Sequence, residues 1–398
     1  MNKILKLSDV CLNIIDCPHE SPVWLTEGYA RVIRNFNLID GQISDAESYY
    51  VDENTYNKRI RRAVPEPGDI IFSREAPIGN CAIVPEGFKC CLGQRLVLLK
   101  VDNNKVSSEY LLAVLMSGYV KYQIEQVSKR GSIVSNFNIS DLSNLKIPVL
   151  INQSDIAKFA IDISSKITNN LCVNNNLESF AKTIYDYWFL QFEFPNEEGK
   201  PYKSSGGKMV WNEELKKEIP EGWGSSTIRK VLKEANKSKV QVGEAQEKGK
   251  YPFFTSGENI LRLDEYYVDG FNMFLNTGGN PDIKAYKGKC AYSTDTWCIN
   301  ANDYSYILYY YILKMLPNFE QLFFAGSGLK HLQKEQFKKT NIIIPSNEIL
   351  KKFNDICEKC WSLITKLIIE NQQLTELRDF LLPMLMNGQV TFKDEKNI

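Results

Sequence analysis

A long internal repeat constrains this chain more than any other feature. Residues 146–159 (KIPVLINQSDIAKF) and 343–356 (IIPSNEILKKFNDI) both leave a strand-like, proline-ended run and enter an apolar-periodic helix. Laying Pro148 on Pro345 gives an offset of 197 that holds without a gap for about forty positions. Ile156 then falls on Phe353, Phe159 on Ile356, Ala160 on Cys357, Ile163 on Cys360, Ile167 on Ile364 and Leu171 on Ile368. The match continues through Leu177 on Leu374, Phe180 on Leu377, Ile184 on Leu381 and Trp188 on Leu385. Apolar spacings of three and four over about ten turns trace one face of a long helix, present twice. A helix over 154–190 would be roughly 55 Å long, which is coiled-coil length. The two stripes can bury against each other, or each can be a core helix of its own duplicated domain. Asn174 and Asn371 hold equivalent seam positions, three before a leucine in each copy; they either pin the register or lie on an exposed face.

The segments ahead of the helices match more loosely. LKLSDV at 5–10 resembles STIRKV at 226–231 at an offset of 221, so the second variable segment is 24 residues shorter than the first. Both are rich in short Ile, Val, Phe and Leu runs broken by Gly and Pro, as in GDIIFSREAPIGNCAIV and GFNMFLNTGGNPDIKAY, a mixed or mainly antiparallel sheet pattern. Short helices are expected at 107–126 and 304–323. Residues 195–224, rich in Gly, Pro, Ser and charge, read as an exposed linker. The predicted class is α+β: two β-rich domains at 1–151 and 226–346, long helices at 152–194 and 347–390, a linker at 195–225, and an internal pseudo-twofold repeat.

Composition narrows the function. Lys plus Arg equal Asp plus Glu at 48 each, so a nucleic-acid partner must be met by local patches rather than by a basic coat. Ten cysteines behind an opening with no long apolar run predict reduced thiols in the cytoplasm. No stretch approaches eighteen uncharged apolar residues, which argues against a helical membrane span. Catalytic motifs are scarce: there is no P-loop, and SSGGKM at 204–209 lacks the required ending. NPDI at 280–283 carries Asp282 where an amino-methyltransferase motif has a second proline, and it reads as a turn. The one CxxC pair, Cys357 and Cys360, aligns with Ala160 and Ile163 and reads as core thiols rather than zinc ligands. Two histidines, His19 and His331, leave little room for His-based catalysis, and no metal or cofactor site is expected.

Features suited to nucleic acid do recur. KRIRR at 58–62 puts four cations in five residues, and strand alternation would set them on one exposed face beside Arg74 and Arg95; a solvated surface is the alternative. KRGSIVSNFNISDL (129–142) and AGSGLKHLQKEQF (325–337) each place Gly-Ser in a loop before a capped turn. Their amides, hydroxyls and the cations Lys129, Arg130 and Lys330 suit phosphate oxygens, unless they are plain helix-start loops.

Several motifs in order (DCPH at 16–19, GDIIFSREAPIGNCAIV, IYDYWFLQFEFP at the end of the first helix, EIPEGWGSSTIRKV opening the second domain, and LRDFLLPMLMNGQV) carry a resemblance over the whole chain to the specificity subunits of type I restriction-modification systems. The resemblance implies a non-catalytic subunit with two target-recognition domains, each reading one half of a split sequence in double-stranded DNA. It implies helices, conserved in that family, that pair as an antiparallel coiled coil, set the spacer and dock two methyltransferase subunits, through which restriction and translocase subunits join. S-adenosylmethionine, ATP and Mg would then be bound by those partners. Candidate DNA contacts are Arg59, Arg61, Arg62, Arg74, Gln94 and Arg95 in the first domain. In the second they are Thr255, Ser256, Asn276, Thr277, Asn280, Lys330 and His331. Tyr185, Trp188 and Phe189 read as partner-facing aromatics. The competing expectation is a scaffold or anti-restriction protein that captures methyltransferase subunits without reading DNA. A chain that methylates DNA alone would instead bind S-adenosylmethionine.

Overall fold

The structure, a computed structural model, describes residues 3–45, 47–75, 77–128, 137–246, 249–328 and 330–392. It divides into two compact units, residues 1–172 with 369–398 and residues 173–368, so the boundary falls inside both long helices.

In the first unit, β1 (Lys3–Lys6) pairs antiparallel with β9 (Lys146–Val149). A four-stranded antiparallel sheet has the order β2 (Cys11–Asp16), β8 (Leu96–Val101), β5 (Ile70–Ser73), β6 (Cys81–Ile83). A second sheet runs β4 (Tyr49–Val51), β3 (Ala30–Ile33), β7 (Cys90–Leu92), with β3 and β7 parallel. Its helices include α1 (Glu53–Arg59) and α2 (Ser108–Met116). Ile70, Phe72, Val97 and Leu99 pack with Tyr110 and Leu111 of α2 on one face, while Ile71 and Leu98 join a cluster with Ile33 and Leu92 on the other. Both faces being covered, the strands read as unbroken apolar runs rather than alternating ones.

The second unit repeats this scheme strand for strand. β10 (Gly224–Thr227) pairs with β18 (Asn341–Ile344). The four-stranded sheet is β11 (Lys233–Glu234), β17 (Thr296–Asn300), β14 (Phe271–Asn276), β15 (Ile283–Lys287). The three-stranded one is β13 (Leu261–Leu263), β12 (Tyr251–Phe254), β16 (Ala291–Tyr292), again with its one parallel pair at β12 and β16. The helix α4 (Ser305–Phe323) takes the place of α2. Most of the shortening of the second domain arises in two connections: 15 residues separate Ile33 from Tyr49 against six between Phe254 and Leu261, and 18 separate Val51 from Ile70 against nine between Leu263 and Met273, the counterpart of Ile70.

The long helices are α3 (Gln153–Tyr185, 33 residues, about 50 Å) and α5 (Asn347–Met386, 40 residues, about 60 Å). α3 ends in a single π turn over Asp186–Leu190. Within each unit the two helices run antiparallel. In the first, Ile156 and Ala160 share a cluster with Leu382 and Leu385, and the Phe159 ring lies 6.2 Å from that of Phe392. In the second, Tyr185, Trp188 and Phe189 all pack on Phe353, Phe189 edge-on at 4.9 Å. The stripes therefore bury against each other as well as on the domains.

Three expectations are corrected here. Tyr185, Trp188 and Phe189 are buried in the core of the second unit and do not form an outward face: all three pack on Phe353, and Phe189 also packs on Trp223. Residues 195–224 are only partly an exposed linker: Met209–Asn212 and Lys217–Pro220 form a hairpin, and Ile219 and Trp223 are buried, with Trp223 stacked on Phe194 at 4.8 Å. Finally, KRIRR does not lie on a strand. Asp52 caps a helix by accepting from the Thr55 amide at 2.7 Å, and Lys58 and Arg59 complete its last turn, where cations suit the helix dipole.

Candidate nucleic-acid interface

The two β-rich domains present the same end of the same frame with different chemistry. The alignment follows from strand register: Val32 pairs with Cys91 and Ile33 with Leu92, as Phe253 pairs with Ala291 and Phe254 with Tyr292. The turn after β7, Gly93-Gln94-Arg95, thus corresponds to Ser293-Thr294-Asp295. Arg74, whose amide donates to the Arg95 carbonyl, corresponds to Thr277, whose amide donates to the Asp295 carbonyl.

In the first unit the candidates gather around residues 16–19. Arg59 is buried and donates through Nε and Nη2 to the Leu92 carbonyl at 2.9 and 2.6 Å, through Nη1 to that of Glu20 at 2.7 Å, and through Nη2 to that of Pro18 at 3.4 Å. Arg62 donates to the carbonyls of Asp16 and Cys17 at 3.3 Å each. Arg74, also buried, pairs with Asp16 at 3.6 Å, and Asp16 in turn meets His19 Nε2 at 3.2 Å. Gln94 donates to the His19 carbonyl, and Arg95 pairs with Glu75 at 3.2 Å. Arg95 sits at φ 68°, a left-handed conformation that shapes the turn and leaves the guanidinium half exposed. Arg61 is exposed and has no ion pair among the described residues. The five basic-run positions therefore divide: Arg59 and Arg62 hold backbone, and Arg61 points to solvent. Lys129 and Arg130 lie outside the described residues.

In the second unit the seven candidates converge through backbone oxygens. Ser256 Oγ and Thr277 Oγ1 both donate to the Asp295 carbonyl at 2.8 Å. Asn276 Nδ2 donates to the carbonyls of Ser256 at 3.0 Å and Asn280 at 3.1 Å, tying the loop after β12 to the loop after β14. Thr255 Oγ1 accepts from the Gly257 amide. His331 bridges Gly278, the Gly279 amide donates to the Lys330 carbonyl, and Lys330 pairs with Glu320 at 2.7 Å. Thr255 and Asn276 are buried and act as braces; Ser256, Asn280, Lys330 and His331 stand at the surface or near it.

Sequence reading passed over Arg34, which holds in the first unit the position of Thr255. Its guanidinium lies over the rings of Phe36 at 3.8 Å, Tyr49 at 4.4 Å and Trp24 at 5.2 Å, with Glu47 at 3.2 Å. The signal was an arginine directly after a strand, in RVIRNF, but the aromatics come from three separated segments. Elsewhere, Cys357 and Cys360 lie in the hydrophobic core, where burial pushes both thiols above their usual range. Among the described residues no cluster of His, Cys, Asp or Glu could hold a metal ion, and no helix is long and apolar enough to cross a membrane.

Comparison with known proteins agrees with the repeat. The sequence matches the type I restriction modification DNA specificity domain over residues 39–208 and again over 220–378. It is 27% identical over 359 residues to the type I restriction enzyme MjaIX specificity subunit of Methanocaldococcus jannaschii, covering 82% of this chain and 78% of that one. It is 22% identical over 410 residues to the HindI specificity subunit of Haemophilus influenzae, covering 81% and 86%. The fold is similar to a crystal structure of a type I restriction-modification S subunit from M. genitalium, with a TM-score of 0.52 at 15% identity over 100% of this chain and 97% of that chain. With the matched domain present in both halves, the chain belongs to the type I restriction-modification specificity family.

Proposed function

We propose that this chain is the non-catalytic DNA-reading subunit of a type I restriction-modification complex, and that each unit reads one half of a bipartite target. The observation that carries this is the pair of equivalent turns, Gly93-Gln94-Arg95 and Ser293-Thr294-Asp295, set on the same parallel strand pair with unlike side chains. A reader of two different half-sites needs a common frame and divergent tips. Arg, Gln and Asn side chains suit base edges in the major groove, whereas exposed cations such as Arg61, Arg95 and Lys330 suit phosphates. Arg59, Arg62, Arg74, Thr255 and Asn276 act one step back, holding the loops that carry those groups.

The long helices would set the spacer and dock two methyltransferase subunits, through which the restriction and translocase subunits join; S-adenosylmethionine, ATP and Mg would be held by those partners, in the cytoplasm. Adenine methylation requires the target base to leave the stack, a step assigned to the methyltransferase partner. The test is single-molecule sequencing of methylated adenines in cells carrying this chain with a type I methyltransferase subunit. A new split motif, absent without the chain, is the expected result. No new methylation beside a methyltransferase proven active with another specificity subunit would favour the scaffold reading.

A further inference from the structure

The register that equates the two domains also equates two concave sites. Ile15, Asp16 and Cys17, with Leu92 and Leu98, line a site in the first unit; their counterparts Ala235, Asn236 and Lys237, with Tyr292 and Cys298, line one in the second. In the first unit the cavity is only about 10 Å³, scarcely room for one water, because Arg59 and Arg62 fill it from the long connection after β4. The second unit lacks that insertion. Its cavity measures about 330 Å³.

The chemistry of the larger cavity is cationic and hydroxylic. Lys237 and Lys334 line it; among the described residues neither makes a salt bridge, although Glu234 attracts Lys334. Lys334 lies over the Trp297 ring at 4.8 Å. The one carboxylate on the wall, Glu234, is already held by Lys338 and by Trp297 Nε1 at 2.8 Å. Burial holds the Lys334 ammonium below its usual range; Glu234 offsets part of this, and Lys338 and Lys237 add repulsion. An anion entering here would relieve that repulsion. Thr294 and Asn236 add uncharged donors at the rim. In the first unit, arginine guanidiniums supply positive charge to the same place from within the chain.

We infer that this cavity of the second domain is a phosphate subsite that receives one backbone phosphodiester of the bound duplex, through Lys237 and Lys334. The first domain carries its own cations there and has no such subsite. The inference rests on the DNA-reading function above. It makes the two half-sites unequal in their backbone contacts: one phosphate is held between Lys237 and Lys334 on the side read by the second unit, with no counterpart on the other.

The experiment uses the complete complex with its methyltransferase subunits and a duplex bearing the methylated motif. Affinity is measured against salt for the wild type, for Lys237→Gln, for Lys334→Gln and for the double variant, and ethylation interference maps the phosphates. The double variant is expected to bind several-fold more weakly at low salt and to lose about one unit of the log–log salt slope. It is also expected to lose sensitivity to ethylation at a single phosphate in one half-site. Unchanged slope and an unchanged interference map, with specific binding intact, overturn the subsite while leaving the reader standing. A wild-type complex with no sequence-specific binding removes both. Saturable binding of inorganic phosphate without DNA, abolished by Lys334→Gln and unaccompanied by any slope change, would assign the cavity to a free phosphate compound instead and overturn the duplex contact.

Discussion

The two units share one topology but are tied to the long helices by different chemistry. In the first, the helix contacts are aliphatic and polar. Asn170, buried, donates to Glu370 at 2.9 Å and to Asn371 at 2.8 Å; Lys166 lies 3.5 Å from Glu370; and the buried Arg378 pairs with Asp40 at 2.9 Å and Asp379 at 3.2 Å. In the second, they are aromatic: Tyr185, Phe189, Tyr310 and Phe353 interlock, and Trp361 packs edge-on to Phe271 at 4.9 Å. The repeat sets Ser164 opposite Trp361 in correspondence. Where Trp361 fills its domain-facing position, Ser164 borders a cavity of about 300 Å³ lined by Asp40, Gln42, Leu112 and Ile161, and its hydroxyl has no partner among the described residues. One sequence pattern thus supports two ways of seating a domain on a helix, because the 3.6-residue period specifies which face is buried and not what fills it.

Exchanging residues between the repeats tests that contrast. Trp361→Ser, which gives the second unit the residue of the first, is expected to cost about 3–5 kcal/mol in a denaturant melt of the complex, from lost ring packing and the cavity left behind. An effect under about 1 kcal/mol would mean that the site collapses freely and that the aromatic network is not what seats the domain. Arg378→Ala removes the partner of Asp40 and Asp379, both partly solvated, and should cost about 2–3 kcal/mol.

The seam asparagines give a finer comparison. The partner of Asn371 is Asn170 and not its own repeat mate: Asn371 Oδ1 accepts from Asn170 Nδ2 within the first unit, and Asn371 Nδ2 donates to the Ile167 carbonyl at 3.3 Å. The register set by Trp188 on Phe353 places Asn174 opposite Leu367, and Asn174 Oδ1 is buried with no partner among the described residues. Asn170→Leu should therefore destabilise by about 1–2 kcal/mol, whereas Asn174→Leu should be neutral or stabilise by up to about 1 kcal/mol. Equal effects would remove the asymmetry.

The smallest expected effect concerns pH. Although burial raises it, the Glu234 carboxyl is held below its ordinary 4.5 by hydrogen bonds from Lys338 and Trp297. A depressed carboxyl contributes stability that is present above the unfolded value and lost as pH falls through the folded one. Glu234→Gln should accordingly cost a few tenths of a kcal/mol at neutral pH, and the difference from wild type should shrink as the pH drops below about 4.5. A difference that is flat with pH would mean that Lys338 contributes nothing through charge.

What the sequence disclosed follows the same division. The helices were legible because an apolar stripe repeated at fixed offset is a helical property in itself; their antiparallel pairing came only from the family resemblance. The strand-by-strand correspondence was not, because the offset drifts from 221 at Ile33 and Phe254, through 203 at Ile70 and Met273 and 200 at Leu92 and Tyr292, to 197 in the helices, and buried strands require only apolar residues. KRIRR was misplaced because a charge run does not report that Asp52 starts a helix just before it, which turns Arg59 inward. The cavity beside Lys334 was hidden because its walls come from four separated segments and its existence depends on what the other copy inserts.

The central claim is that two equivalent turns on one frame read two different half-sites. It is tested most directly by methylated-adenine sequencing of cells carrying this chain with Thr294 and Asp295 replaced by Gln and Arg, the residues found at 94 and 95, beside the unaltered chain. A motif changed or lost in one half only, with the other half and the spacer retained, is the predicted result. A motif unchanged in both halves, or altered in both together, would contradict it.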